Sequence, residues 1–207
     1  MLGRTAGLKS VQLGAPPKRG DLHDVYLVGE IRDVVERRGL AAFEALDGPR
    51  PGCLWLATFD LFKGLRTSRD YRRVREELAL RHACGRADNS TYLCASDPSD
   101  TLRSLVEGKG KYQVACVRPA NPAAEALARE AMSDALGFAA SLLREEAAKL
   151  RGPGAAVARR KAARLLEAAR QAASSGAADI AASLAGPGLA EELREAYGAL
   201  SAALGRG

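Results

Sequence analysis

Past Pro122 about one residue in three is alanine. Such a density suits helices that pack closely, because alanine is the best helix former and a poor strand residue. The apolar positions agree. Met132, Leu136, Ala139, Leu143, Ala147 and Leu150 step by three and four along one seam. Ala158, Ala162, Leu165, Ala169 and Ala172 form a second seam. Breaks fall at Arg151-Gly152-Pro153-Gly154, at Gly176 and at Gly186-Pro187-Gly188. The pattern predicts helices over 122–150, 155–174, 177–184 and 189–204, folded back on one another as a bundle spanning 121–207. Asn121 is placed to cap the first of them, with Pro122 at its first position.

The chain before this point reads differently. Residues 1–20 hold four basic groups, no acid and several glycines and prolines, and are expected to be a flexible basic arm. Asp21 can cap a helix to about Arg38, and a short helix over Leu40–Leu46 ends at Asp47-Gly48-Pro49. The continuous apolar run Cys53–Phe62 fits either a buried strand or a buried helix. A helix should open at Ser68 and run to about Ala83, with Tyr71, Val74, Leu78 and His82 inward. Thr91–Ser96 and Lys111–Val117 read as strands that pair antiparallel, with a short helix, Thr101–Glu107, between them. The expected fold class is therefore α+β and mostly α. A small domain over 21–119 carries a short antiparallel sheet, and a helical domain follows it.

The charge is positive overall, +6 with a pI near 9.3, which favours a polyanionic partner. It concentrates in Lys63–Arg75, where six basic residues face one acid, Asp70. Arg69 and Arg72 fall in the opening turns of a helix, where the backbone dipole is already positive and an acid would be the stabilising choice. Cations held there suggest an anion outside the protein. The competing reading is a solvated helix face laced by Arg72–Glu76 and Arg73–Glu77 pairs at i,i+4. A second basic cluster, Arg159-Arg160-Lys161 with Arg164, is either a further phosphate contact or another solvated face.

Taken in order, a helix, a second helix ending near Lys63, a short turn, a helix from Ser68 and a strand pair resemble a winged helix-turn-helix domain over residues 21–118. The resemblance implies a DNA-binding regulator or DNA-organising protein. It would put Ser68, Arg69, Arg72 and Arg73 at the major groove, Lys63 and Arg66 on phosphates, and Lys109 and Lys111 on the wing. The chain departs from that pattern in a long stretch before Cys53 and an extra helix inside the wing. If Cys53–Phe62 is a strand, the turn disappears.

Two other classes compete. The alanine-rich seams also suit a non-catalytic structural or assembly subunit, or a homodimer formed through the C-terminal helices. A metal-dependent nuclease is suggested by Asp97, Asp100 and the Glu107-Gly108-Lys109 step, although glycines flank that lysine where the restriction-endonuclease fold has a central strand. No nucleophilic triad spacing and no phosphate-binding glycine loop of the ATPase type exist. No catalytic residue, metal or cofactor is therefore assigned. The four cysteines, Cys53, Cys84, Cys94 and Cys116, contain no C-x-x-C pair. They are buried apolar residues, a Cys84–Cys94 disulfide, or metal ligands with His82. The absence of a leader pattern or a long apolar run predicts a cytoplasmic protein that spans no membrane. Few amides and many arginines fit a thermophilic source.

Overall fold

The computed structural model describes residues 43–46, 50, 52–62, 68–88, 91–150 and 155–205. Their fold is α+β and mostly α. Five strands, β1 (Phe43–Ala45), β2 (Leu54–Leu61), β3 (Gly85–Asp88), β4 (Thr91–Cys94) and β5 (Gly110–Pro119), form one sheet in the order β1-β5-β2-β4-β3. Each neighbouring pair runs antiparallel. The helices are α1 (Ser68–His82), α2 (Ser99–Val106), α3 (Pro122–Lys149), α4 (Ala155–Ser174), α5 (Ala177–Ala185) and α6 (Pro187–Gly205).

The apolar run in β2 is explained by its central place: every residue but Trp55 and Asp60 is buried. Helices cover both of its faces, which removes the usual alternation. On one face Leu54, Leu56, Leu93, Ala115 and Val117 pack against Ala128, Ala131, Met132 and Leu136 of α3 and Ala177 and Ala181 of α5. On the other, Ala57, Phe59, Tyr92, Tyr112 and Val114 pack against Val74 and Leu78 of α1 and Leu102 and Val106 of α2. A third cluster, with Leu80, Leu143, Leu165 and Leu200, holds α1, α3, α4 and α6 together. The sheet and the alanine-rich helices thus share a core across the Pro119–Pro122 break. Asn121 caps α3 as expected, its side chain accepting from the Ala124 N–H at 3.0 Å.

Several expectations need correcting. Of the two readings of Cys53–Phe62 the strand holds, as β2, so no helix occupies that stretch, and the sheet of the described residues has five strands. Phe43–Ala45 is an edge strand on the end of β5 and not part of a helix over 40–46. The two anticipated strands exist, yet they do not pair with each other. β2 lies between them because it is long enough to hydrogen-bond β4 on one edge and all of β5's first eight residues on the other. β3 was not legible at all; Gly85 and Asp88 are poor strand formers. The 1–20 arm, the Asp21–Arg38 helix and the Arg151–Gly154 reversal lie outside the described residues.

Cys84 and Cys94 form a disulfide, S–S 2.07 Å, tying the exit of α1 to β4. Cys53 and Cys116 are buried free thiols, and burial together with a hydrogen bond to Cys53 pushes the Cys116 thiol up to about 12. At Gly85 an added Cβ would stand 1.5 Å from the Ala131 carbonyl oxygen, so β3 and α3 meet backbone to backbone only because that residue is glycine. No described helix is long and apolar enough to cross a membrane.

Candidate functional site

Helix α1 buries Val74 and Leu78 against the sheet and turns its arginines away from it. Arg69, Arg72 and Arg73 are three and four apart and share one face. Arg69 and Arg73 are exposed and have no ion-pair partner among the described residues. Arg72 Nε donates to Glu76 Oε1 at 3.0 Å, and its NH2 lies 4.0 Å from Glu145. The anticipated Arg73–Glu77 pair is absent because Glu77 is taken by Arg81 at 2.7 Å and by Arg164 at 3.2 Å.

The next arginine along, Arg75, stacks its guanidinium 4.0 Å over the Phe138 ring and reaches Asp134 at 3.4 Å. With it begins a cleft of about 610 Å³ between α1, the β3–β4 hairpin and α3. Tyr71, Arg72 and Arg75 line one wall, Arg86 and Tyr92 the hairpin side, and Phe138 the α3 side. Tyr71 and Tyr92 are held from behind by Phe59, with ring centroids 5.8 and 5.7 Å away. Burial raises the Tyr92 phenol above its ordinary value and outweighs the lowering pull of Arg86 and Arg75, so it is neutral. Glu145 lines the cleft and Asp134 accepts from the Arg86 backbone N–H at 2.9 Å. Three guanidinium groups still meet three aromatic rings in one opening.

Other anticipated residues fall elsewhere. Lys63 and Arg66 lie outside the described residues. Ser68 is the first residue of α1. Lys109 is exposed, 3.9 Å from Asp70. Lys111 is only half exposed and its ammonium is shut inside, so it is not offered on a wing. The second basic cluster divides: Lys161 and Arg164 turn inward onto the buried Glu76, Glu77 and Glu146, while Arg160 stays exposed.

The carboxylates of the nuclease pattern do not converge. Asp97 stands before α2 and accepts from the Ser99 backbone N–H at 2.9 Å, while Glu107 follows the helix at its other end. Eight helical residues separate them by about 12 Å. Among the described residues no group of three or more His, Cys, Asp and Glu is placed to hold a metal. His82 lies between two hydroxyls, Nδ1 2.9 Å from Ser96 Oγ and Nε2 2.7 Å from Thr101 Oγ1. Burial, with Arg81 adding to it, lowers its pKa to about 4, so the ring is neutral with one nitrogen donating and the other accepting.

Sequence reasoning missed Arg86, Tyr92 and Phe138 as site residues. Arg86 sits in the strand that was not foreseen, and Tyr92 and Phe138 look like core positions in any pattern of periods two and 3.6. Only the basic run itself pointed toward the cleft. The chain matches no protein-family model, and comparison with curated proteins and with solved structures finds none similar to it.

Proposed function

We propose that this protein binds nucleic acid, and binds it as a single strand, along α1 and into the cleft beside it. The observation that carries the reading is the meeting of Arg72, Arg75 and Arg86 with Tyr71, Tyr92 and Phe138 in one opening, continuous along α1 with the exposed Arg69 and Arg73. Aromatic faces stack bases whatever their identity, and guanidinium groups follow the phosphates. Such a combination suits unpaired bases better than a duplex, whose bases are already stacked. The segment Leu54–Leu61, read in the winged helix-turn-helix pattern as the helix before the turn, is the central strand β2. A labelled oligonucleotide followed by fluorescence anisotropy over a salt series tests this. Replacing Arg69, Arg73 and Arg86 together with alanine should lower the slope of log affinity against log salt by about 2, from about 0.7 per phosphate contact on a single strand. Unchanged affinity and slope would remove the reading, and tighter binding to duplex would remove the single-strand preference.

A second reading, an assembly subunit that ignores nucleic acid, draws on two facts. Arg72, Arg75 and Arg81 are engaged by acids of their own fold, and Val157 on α4 is 68% exposed. Light scattering separates the two: a large homo-oligomer without oligonucleotide affinity favours assembly.

A further inference from the structure

Helices α4, α5 and α6 meet over Leu136 of α3 and leave a cavity of about 400 Å³ between them. The cause is the size of the side chains at the junction. Ala169 and Ala173 of α4, Ala178 and Ala182 of α5 and Ala190 of α6 line it, where larger side chains would fill the gap. Two helices repeat one arrangement. Ala169, Arg170 and Ala173 share a stripe of α4, and Ala178, Asp179 and Ala182 have the same spacing on α5. On α6 Leu193, Arg194 and Tyr197 continue the stripe that Ala190 begins. The alanines and leucines therefore form an apolar floor, and Arg170, Asp179, Arg194 and Tyr197 stand around the same opening. The volume lies within the range of small-molecule pockets, about 300–1,000 Å³, whose usual composition is an apolar lining with a few polar groups.

The polar groups of the opening differ in sign. Arg170 Nε donates to the Tyr197 hydroxyl at 3.0 Å, which ties α4 to α6 and fixes the guanidinium. Its other pairing, with Glu167 at 3.5 Å, joins two exposed side chains, and Arg194 pairs likewise with the exposed Glu191. Surface pairs of this kind contribute little, so they yield to a ligand carboxylate, which a guanidinium fork holds bidentately. Asp179 is exposed and makes no hydrogen bond or ion pair among the described residues. Guanidinium groups over an apolar floor would suit any apolar acid. The uncommitted carboxylate narrows the choice, because it repels a plain anion and attracts a ligand that also carries a cation. We infer that this cavity binds a free α-amino acid with a large apolar side chain. The ligand's carboxylate lies on Arg170 and Arg194, its ammonium on Asp179, and its side chain on the alanine floor above Leu136. The cavity is separate from the arginine cleft. No residue lines both, and Leu136 and Phe138, which belong one to each, are about 200° apart around α3. The site therefore stands or falls apart from nucleic-acid binding.

The test uses L-phenylalanine as the probe on the full chain and reads calorimetric binding and thermal unfolding. The probe should bind saturably and raise the melting temperature with dose, as a ligand of the folded state does. Three analogues each lack one recognised group: hydrocinnamate the ammonium, phenethylamine the carboxylate and glycine the side chain. Each should bind at least tenfold more weakly. Asp179→Asn changes an exposed side chain, should fold normally, and should weaken L-phenylalanine binding at least tenfold. Ala173→Leu fills the cavity from α4 and should abolish binding without loss of stability. Absence of saturable L-phenylalanine binding by the wild type would overturn the site. So would undiminished binding by Ala173→Leu, which would put the ligand elsewhere. Equal affinity for hydrocinnamate, or undiminished binding by Asp179→Asn, would overturn the amino-acid assignment.

Discussion

Replacing Lys161 with methionine keeps the length of the side chain and removes its charge. Its ammonium donates to Glu76 Oε1 at 3.1 Å and to Glu146 Oε1 at 3.0 Å. Those acidic side chains are 3% and 1% exposed. One nitrogen therefore joins α1, α3 and α4. Charge-assisted hydrogen bonds contribute about 1.5–3 kcal/mol each, and stripping a buried charge of its sole partner costs about 3–5 kcal/mol. Neither carboxylate is stripped completely: Arg72 and Arg164 still hold Glu76, and Lys149 still holds Glu146. Lys161 itself also escapes its own desolvation. The expected loss is about 3 kcal/mol, or a fall in Tm of about 6–12 °C for a chain of this size. The pH dependence gives an independent check. Burial pushes the Glu146 carboxyl up, but hydrogen bonds from Lys149 and Lys161 outweigh it and hold the group below its ordinary value. A carboxylate lowered in the folded state stabilises the fold above its unfolded pKa, and that contribution fades as pH falls through the folded value. Wild type and Lys161→Met should therefore converge in acid. Urea denaturation followed by circular dichroism, in neutral and acidic buffer, measures both effects. A cycle with Glu146→Gln should give a coupling of about 1 kcal/mol or more. A loss below about 0.5 kcal/mol, the value for an ordinary surface substitution, would refute the claim that these charges act as one buried network.

Three further outcomes are expected. The double replacement Cys84→Ala with Cys94→Ala opens a loop whose ends are 10 positions apart and should lower stability by about 3 kcal/mol on the chain-entropy relation, read by thermal unfolding with and without reductant. Gly85→Ala drives a methyl into the Ala131 backbone and should cost about 3 kcal/mol or more, at the upper end for overpacking, as measured by chemical denaturation; a neutral effect would mean that β3 and α3 are not in contact. His82 should titrate by NMR with a midpoint near 4. Because the unfolded ring binds its proton near pH 6.5, stability should fall by about 3 kcal/mol as pH drops through that window; a midpoint at the unfolded value would show the ring to be solvated.

The reading of helices from sequence held best where local signals agreed. Asn121 and Pro122 mark the start of α3 because capping and a fixed proline φ are properties of the residues themselves. The start of α4 at Ala155 and its end at Ser174 follow from the bracketing glycines. β3 and β1 were illegible for the opposite reason. Gly-Arg-Ala-Asp and Phe-Glu-Ala have no strand preference, and they are strands because β4 and β5 offer open edges beside them. The cleft was half legible. The basic run announced that cations gather on α1, but not that Arg72, Arg75 and Arg81 would be met by Glu76, Asp134 and Glu77 while Arg69 and Arg73 would not. The second basic cluster misled for the same reason, since nothing local to Lys161 reveals two buried glutamates from other helices.

What the amino-acid order determined alone is the alphabet of elements: an alanine-rich helical half, a basic helix from Ser68, apolar segments suited to a sheet, and a positive charge. Periodicity, capping and propensity act over a few residues, and each can be read within a window. Tertiary packing alone decided that β2 is a central strand, that α3 and α5 lie on the same sheet as the first half of the chain, which arginines remain unneutralised, and that Lys111 is enclosed. Those outcomes depend on contacts between residues up to about ninety positions apart, such as Lys161 with Glu76 and Arg81 with Gln171, and burial of a charge is a property of its surroundings, which no local window contains.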